Sequence, residues 1–107
     1  MRRFGMVIQL KEDHLEEYRE LHRGAGIRDV ISAANIQNFN IFLQRLPDGN
    51  LYEFAYFEYV GVDFESDMAQ LASDPRNIEW HKLCDPMQKP LEGNTGWCEM
   101  ESIFFNA

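Results

Sequence analysis

The 107-residue sequence predicts an α+β fold of order β-α-β-β-α-β, and three observations carry that reading. Apolar residues alternate with a period of two near the start, in the middle and near the end of the chain. Between those runs lie stretches whose apolar residues recur three and four apart. A proline–glycine turn separates the two middle strands.

Phe4, Met6, Ile8 and Leu10 alternate with Gly5, Val7 and Gln9, which predicts a strand with one strongly apolar face. Lys11-Glu12-Asp13 breaks the alternation. Asp13, with Glu16 three residues on, has the capping-box spacing, so a helix is expected to start there. Leu15, Tyr18, Leu21 and His22 fall on one helical stripe, with Glu16, Glu17, Arg19, Glu20 and Arg23 on the wet side. Gly24 and Gly26 interrupt it, since a glycine inside a helix costs about 1 kcal/mol. Ile27, Val30, Ile31 and Ala34 resume the pattern, so a broken or kinked helix is expected.

Ile36 to Leu46 alternates again, with Ile36, Asn38, Asn40 and Phe42 expected on one face and Gln37, Phe39, Ile41 and Leu43 on the other. Pro47-Asp48-Gly49-Asn50 is a turn, and Leu51 to Tyr59 is the second strand of the hairpin, with Leu51, Ala55 and Phe57 opposite Tyr52, Phe54 and Tyr56. Asp63 is expected to cap a second helix that buries Phe64, Met68 and Leu71. Asp74-Pro75 ends it, and a short helical segment from Asn77 to Leu83 carries Ile78, Trp80, His81 and Leu83. Pro86 and Pro90 stiffen an extended stretch, residues 91–96 read as a loop, and Trp97 to Phe105 reads as the last strand.

That order is the ferredoxin-like arrangement, an antiparallel sheet with helices on one face, and residues 1–107 are expected to form a single domain. The opposite sheet face also carries aromatics. A second copy of the chain, hence a homodimer, is the expected cover.

Composition narrows the function classes. With 45% hydrophobic and 13% aromatic residues the chain can fill a core without staples. A net charge of −8 makes nucleic acid and membrane surfaces poor partners. Cys84 and Cys98 form no CxxC, and no spacing joins His22, His81 and an acid into a metal site, so no metal is expected. The first apolar run is too short for a signal core or a membrane span, so the cytoplasm and reduced thiols are expected. A Gly-rich phosphate loop and a GxSxG are both missing, and no cofactor is expected.

Tyr18 and His22, four apart, share a helix face at roughly 5–6 Å between Cβ atoms. Histidine titrates near neutrality, so this pair is a candidate general acid/base, or else a core-edge tyrosine beside a satisfied histidine. Trp80 and His81 sit on a late segment between prolines, where an indole can wall a pocket against a sugar's apolar face or close the edge of the core. Asn38 and Asn40 are expected as buried amides that need partners.

These residues resemble the L-rhamnose mutarotase family in order and spacing. The likeness runs through Gly5-Met6-Val7-Ile8, Glu16-Glu17-Tyr18 with His22, and Asn35-Ile36 with Asn38-Phe39-Asn40-Ile41-Phe42-Leu43. It continues through Phe54-Ala55-Tyr56-Phe57-Glu58-Tyr59, Asp74-Pro75, Trp80 and the closing Met100-Glu101-Ser102-Ile103-Phe104. The resemblance implies a dimeric α+β barrel without cofactor that interconverts α and β pyranose anomers. It also implies that Tyr18 binds substrate, that His22 is catalytic, and that Trp80 is the first of a tryptophan pair; His22 is then expected to handle one proton, with Tyr18, His81 or a water as its partner. The run Tyr56-Phe57-Glu58-Tyr59-Val60-Gly61, continued by Asp63-Phe64 and Asp67-Met68-Ala69, is similar to a branch associated with L-fucose, which points to L-fucose ahead of L-rhamnose. Three positions depart from the pattern: His81 replaces the second tryptophan, Phe39 replaces a sugar-contacting tyrosine, and Arg23-Gly24-Ala25-Gly26-Ile27 replaces a tryptophan–proline segment. Phe39, Trp80 and His81 remain the expected pocket wall. Two rival readings use the same barrel: a non-catalytic sugar-binding module and a cofactor-independent monooxygenase.

Overall fold

The computed structural model describes residues 1–107 and carries nine regular elements in chain order. They are β1 Arg2–Leu10, α1 Leu15–Arg23, α2 Arg28–Ala33, β2 Ile36–Arg45, β3 Leu51–Tyr59, α3 Phe64–Ser73, α4 Pro75–Cys84, β4 Gln88–Lys89 and β5 Cys98–Met100. The sheet is antiparallel in the order β2-β3-β1, and β1's other edge is shared by β4, against Gln9 and Leu10, and β5, against Gly5 to Val7. This is the predicted ferredoxin-like order, with the last strand split in two. The helices cover one face and the sheet curls around it as a half-barrel. No helix is long and apolar enough to cross a membrane.

The period-two pattern of β1 places Phe4, Ile8 and Leu10 inside, as expected. On β3 the buried set is Leu51, Glu53, Ala55, Phe57 and Tyr59, every second residue of the strand. The stripe of α1 also holds, since Tyr18 is buried and Leu15 and Leu21 pack beneath it. The helix breaks at the glycines. Gly26 takes φ +56, which favours glycine's backbone freedom, and a Cβ there would sit a tight 3.3 Å from the Trp80 indole. Arg76 Nη2 donates to the Gly26 carbonyl at 3.1 Å and grips Asp29 with both Nη atoms, which ties the break to α4.

Several expectations are corrected. Asp13 lies in a 3₁₀ turn of residues 12–14 and caps nothing; α1 starts after His14 with no side-chain cap. The β2 alternation slips at a bulge between Gln37 and Asn40, where Asn38 adopts φ +53. One extra residue reverses the parity, so Ile36 lies on the inner face with Ile41 and Leu43, not with Asn40 and Phe42. Asn38 and Asn40 are exposed amides that stitch the bulge, donating to Glu58 at 3.0 Å and to the Asn38 carbonyl at 2.8 Å. The helix at Asn77–Leu83 is longer, Pro75–Cys84, because the Asp74 side chain accepts from the backbone N–H groups of Arg76 and Asn77 and Pro75 fits the first turn. The last strand ends at Met100 instead of Phe105. Its pairing with β1 stops at Gly5 although Arg2 to Phe4 continue that strand, and Ile103 and Phe104 are largely exposed.

Two core clusters result. One gathers Phe4, Ala34, Ile36, Phe57 and Tyr59 under α2 and α3, and the other gathers Leu10, Tyr18, Leu51 and Met87 under α1. Asp63 caps α3 as predicted, accepting from Ser66 N at 3.1 Å.

Candidate active site

Between α1, the α2 break and α4, a cavity of about 910 Å³ opens over the inner face of the sheet. That lies within the ~300–1,000 Å³ of ordinary small-molecule sites. All four residues singled out beside His22 border it: Tyr18 from α1, Phe39 from the β2 bulge, and Trp80 and His81 from α4. A narrower recess of about 220 Å³ runs from Tyr18 and His22 toward Leu43 and Glu53.

His22 ends α1 with its ring half-buried, 4.1 Å from the Tyr18 ring and edge-on to Trp80 at 5.2 Å, centroid to centroid. Its Nδ1 lies 2.8 Å from the Tyr18 backbone carbonyl. A carbonyl only accepts, so Nδ1 carries the proton and Nε2 keeps its lone pair. Burial first, and the nearby Arg28 guanidinium second, lower the pKa of His22 below its ordinary 6.5, despite the bond to the carbonyl. Arg28 is held there by donating to the His22 carbonyl at 2.9 Å and to that of Gly24. The ring is therefore a neutral base at pH 7.

The Tyr18 hydroxyl is buried in a polar cluster. Gln88, itself buried on β4, donates through Nε2 to Tyr18 Oη at 3.2 Å and to Glu53 Oε2 at 2.8 Å. Glu53 is 2% exposed in the middle of the inner face of β3, between Leu51 and Ala55. Burial pushes its carboxyl up to about 7, with hydrogen bonding from Tyr18 and Gln88 pulling part of the way back. Burial and the Glu53 charge push the Tyr18 phenol far above its usual value, so it stays protonated. The Cys84 thiol, buried at the end of α4, is raised to about 12 and is no nucleophile at neutral pH.

The remaining candidates sit at the periphery. His81 is exposed, with Nδ1 3.0 Å from Asp85 Oδ1, at the rim. Phe39 stacks on Phe57 at 5.5 Å with the rings 4° from parallel, and stays 39% exposed on its other side. Both cysteines are free thiols.

Sequence reasoning missed Glu53, Gln88, Asn77 and Trp97, all of which border one of the two cavities. For Glu53 a signal existed, because strict alternation from Leu51 to Tyr59 puts its carboxylate on the apolar face. The Gln88 position follows only from β4 reaching β1, which two residues after a proline do not announce.

Within the Tyr56–Ala69 run, Tyr59, Gly61, Asp63 and Asp67 lie elsewhere and tie α3 to the sheet. Tyr59 donates to Asp67 at 2.5 Å and accepts from Asp63 N at 3.0 Å. A Cβ on Gly61 would fall 2.4 Å from the Tyr59 hydroxyl, so glycine is required. Tyr59, Gly61, Asp63 and Asp67 line neither cavity, whereas Phe57 and Met68 of the same Tyr56–Ala69 run border the larger one.

Fold and site together define an α+β half-barrel whose cavity offers a neutral histidine base, a buried acid cluster and aromatic walls. The sequence profile of the L-rhamnose mutarotase family matches residues 3–105, and the chain belongs to that family. Membership makes it an isomerase of the class that interconverts sugar anomers. Among solved structures, L-rhamnose mutarotase FA22100 from Formosa agariphila shares the fold at TM-score 0.75 and 15% identity, with 100% of both chains covered. A chain described as a "putative antibiotic biosynthesis monooxygenase" from Nitrosomonas europaea matches at TM-score 0.59 and 13% identity over 96% of this chain and 100% of that one. At such identities both likenesses concern the fold alone. No curated protein matches the chain in sequence.

Proposed function

We propose that residues 1–107 act as one domain that interconverts the α and β anomers of a 6-deoxy-hexose, L-fucose or L-rhamnose, with His22 as the central acid/base. The observation that carries this reading is the bond from His22 Nδ1 to the Tyr18 carbonyl, which leaves a lone pair on Nε2 of a neutral ring bordering the cavity. His22 takes the proton of the anomeric hydroxyl as the C1–O5 bond breaks, and a second group protonates the ring oxygen. The aldehyde rotates, and closure on its other face returns both protons. Tyr18 suits the second role better than His81, whose ring faces Asp85 at the exposed rim. Trp80 and Phe39 would hold the apolar face of the sugar, and His81 would meet its hydroxyls.

Of the Tyr56–Ala69 run only Phe57 and Met68 border the cavity, both as apolar wall, so the run offers no polar contact that would separate the two sugars. The tilt toward L-fucose rests on likeness of that run alone. The free thiols suit a reducing compartment such as the cytoplasm.

Saturation-transfer NMR between anomers tests the reading. The wild type is expected to accelerate exchange of L-fucose or L-rhamnose, and His22→Ala to slow it about 10²–10⁴-fold with the fold retained. Sugar binding without exchange would make the chain a binding module instead. A homodimer through the outer sheet face completes the proposal. Val7, Phe54 and Tyr56 stand on that face at paired positions, and Phe42 beside them is 65% exposed. Sedimentation is expected to give a dimer for the wild type and a monomer for Phe42→Lys.

A further inference from the structure

We propose that Glu53 is the proton reservoir of the site, resupplying through the Tyr18 hydroxyl the proton that Tyr18 passes to the sugar's ring oxygen. The inference rests on the mutarotase reading and goes beyond it by naming the origin of that second proton.

Glu53 occupies a position that packing would give to an apolar residue. Its strand partners are Ile8 on β1 and Leu43 on β2, and its strand neighbours on the same face are Leu51 and Ala55. Burying a carboxyl among such groups is unfavourable unless it is paired or protonated. The groups that face it are the Tyr18 hydroxyl from α1, the Cys84 thiol from α4 and the Gln88 amide from β4. His22 and Arg19 border the same recess, and Arg19 is engaged by Glu16 at 2.5 Å. No cation pairs with Glu53, so a proton is its natural partner. A buried, unpaired acid at the foot of a cavity is a recurrent mark of acid–base chemistry.

The Gln88 bonds give the relay a direction. One N–H of Gln88 occupies a lone pair of Tyr18 Oη and the other holds Glu53 Oε2. The Tyr18 hydrogen is thus left for the carboxylate when Glu53 is ionised, or for the cavity when Glu53 carries its own proton. In the opening step the anomeric O–H bond breaks toward His22 Nε2 and C1–O5 breaks with its electron pair on O5. The Tyr18 hydrogen moves to O5 while the Glu53 proton moves to Tyr18 Oη. Imidazolium and carboxylate remain, and ring closure reverses both transfers. Nothing is oxidised or reduced, and no co-reactant is needed. Because Glu53 acts through Tyr18, it is a positioning and relay residue.

Two predictions separate this from a packing role. First, the relay needs protonated Glu53, so exchange falls as pH rises through about 7. Glu53→Gln keeps the shape and the bond network but cannot give up a proton. It is expected to slow exchange about 10²-fold at pH 6.5 and to lose that alkaline limb. Second, Tyr18→Phe combined with Glu53→Gln is expected to lose no more than Tyr18→Phe alone, because both act on one proton. The experiment is anomer-exchange NMR on L-fucose and L-rhamnose across pH for the wild type, both single variants and the double variant, with circular dichroism to verify folding. Wild-type rates and an unchanged alkaline limb in Glu53→Gln, or additive losses in the double variant, would overturn the relay while leaving the mutarotase reading intact. A wild type that accelerates neither sugar would overturn both.

Discussion

The two ends of the inner sheet face are built from the same alternating strands and put their polar groups to opposite uses. Under α2 and α3, Phe4 stacks between Phe57 and Phe64 at 4.7 and 5.2 Å, and the polar atoms nearby close on one another. Tyr59 bonds to Asp67 and Asp63, and Asn35 bonds to Asp67 at 3.0 Å. Under α1, Tyr18, Glu53 and Gln88 also form a cluster, yet it borders a cavity and contains a carboxyl that holds its proton to about 7. Completed pairing gives rigidity at one end. An unpaired acid gives a movable proton at the other.

That contrast can be broken from either side. The largest effect is expected at the α1 end, where His22→Ala should cost the 10²–10⁴-fold of exchange given above, with little change in the urea midpoint. Phe4→Ala at the other end should do the reverse. Losing a buried phenylalanine from a stacked trio is expected to destabilise the protein by about 3–5 kcal/mol in urea unfolding, while the pH profile of exchange keeps its shape.

The next effect is a pH-dependent one. Glu53 has a folded pKa raised to about 7 from an ordinary 4.5. Above pH 4.5 the unfolded chain ionises this group while the folded chain still holds the proton. Its contribution to stability therefore declines as pH rises from 4.5 to 7. At 1.36 kcal/mol per pKa unit, the stability of Glu53→Gln relative to wild type should rise by about 3 kcal/mol between pH 4 and pH 8. Urea unfolding at the two pH values measures it, and a flat difference would contradict the buried acid. His22 works in the opposite direction. Its lowered pKa penalises the folded state as pH falls below 6.5, when the unfolded chain takes up a proton that the folded chain resists. The smallest effect is expected for Tyr59→Phe, which removes the hydroxyl that joins Asp63 N and Asp67. It should cost about 1–2 kcal/mol by the same measurement and leave exchange unaffected.

Much of the fold could be read before the structure was seen, because periodicity and turn chemistry are local. Phe4 to Leu10, the helix from Leu15 to Arg23, the hairpin around Asp48-Gly49 and the Asp63 and Asp74 stops all depend on neighbours within a few residues. Tyr18 and His22 were legible for the same reason, since i and i+4 on a helix share a face. The β2 bulge was not legible, because one residue at positive φ, Asn38, reverses the parity of everything before it. The end of the last strand at Met100 was hidden too, since the alternation runs on to Phe105 while the pairing with β1 stops at Gly5.

The amino-acid sequence alone determined the order of elements, the break at Gly24–Gly26, the acid/base candidates and the family resemblance. Each is a matter of local spacing or of matching residues. Only the tertiary structure decided that Gly26 takes a positive φ with the Trp80 indole close over it, and that Tyr59, Asp63 and Asp67 tie the fold together away from the cavity. It alone brought Gln88 and Glu53, 35 positions apart, to the Tyr18 hydroxyl. A buried carboxyl owes its proton to what surrounds it, and those surroundings come from β1, β2, α1, α4 and β4, which only the closed sheet brings together.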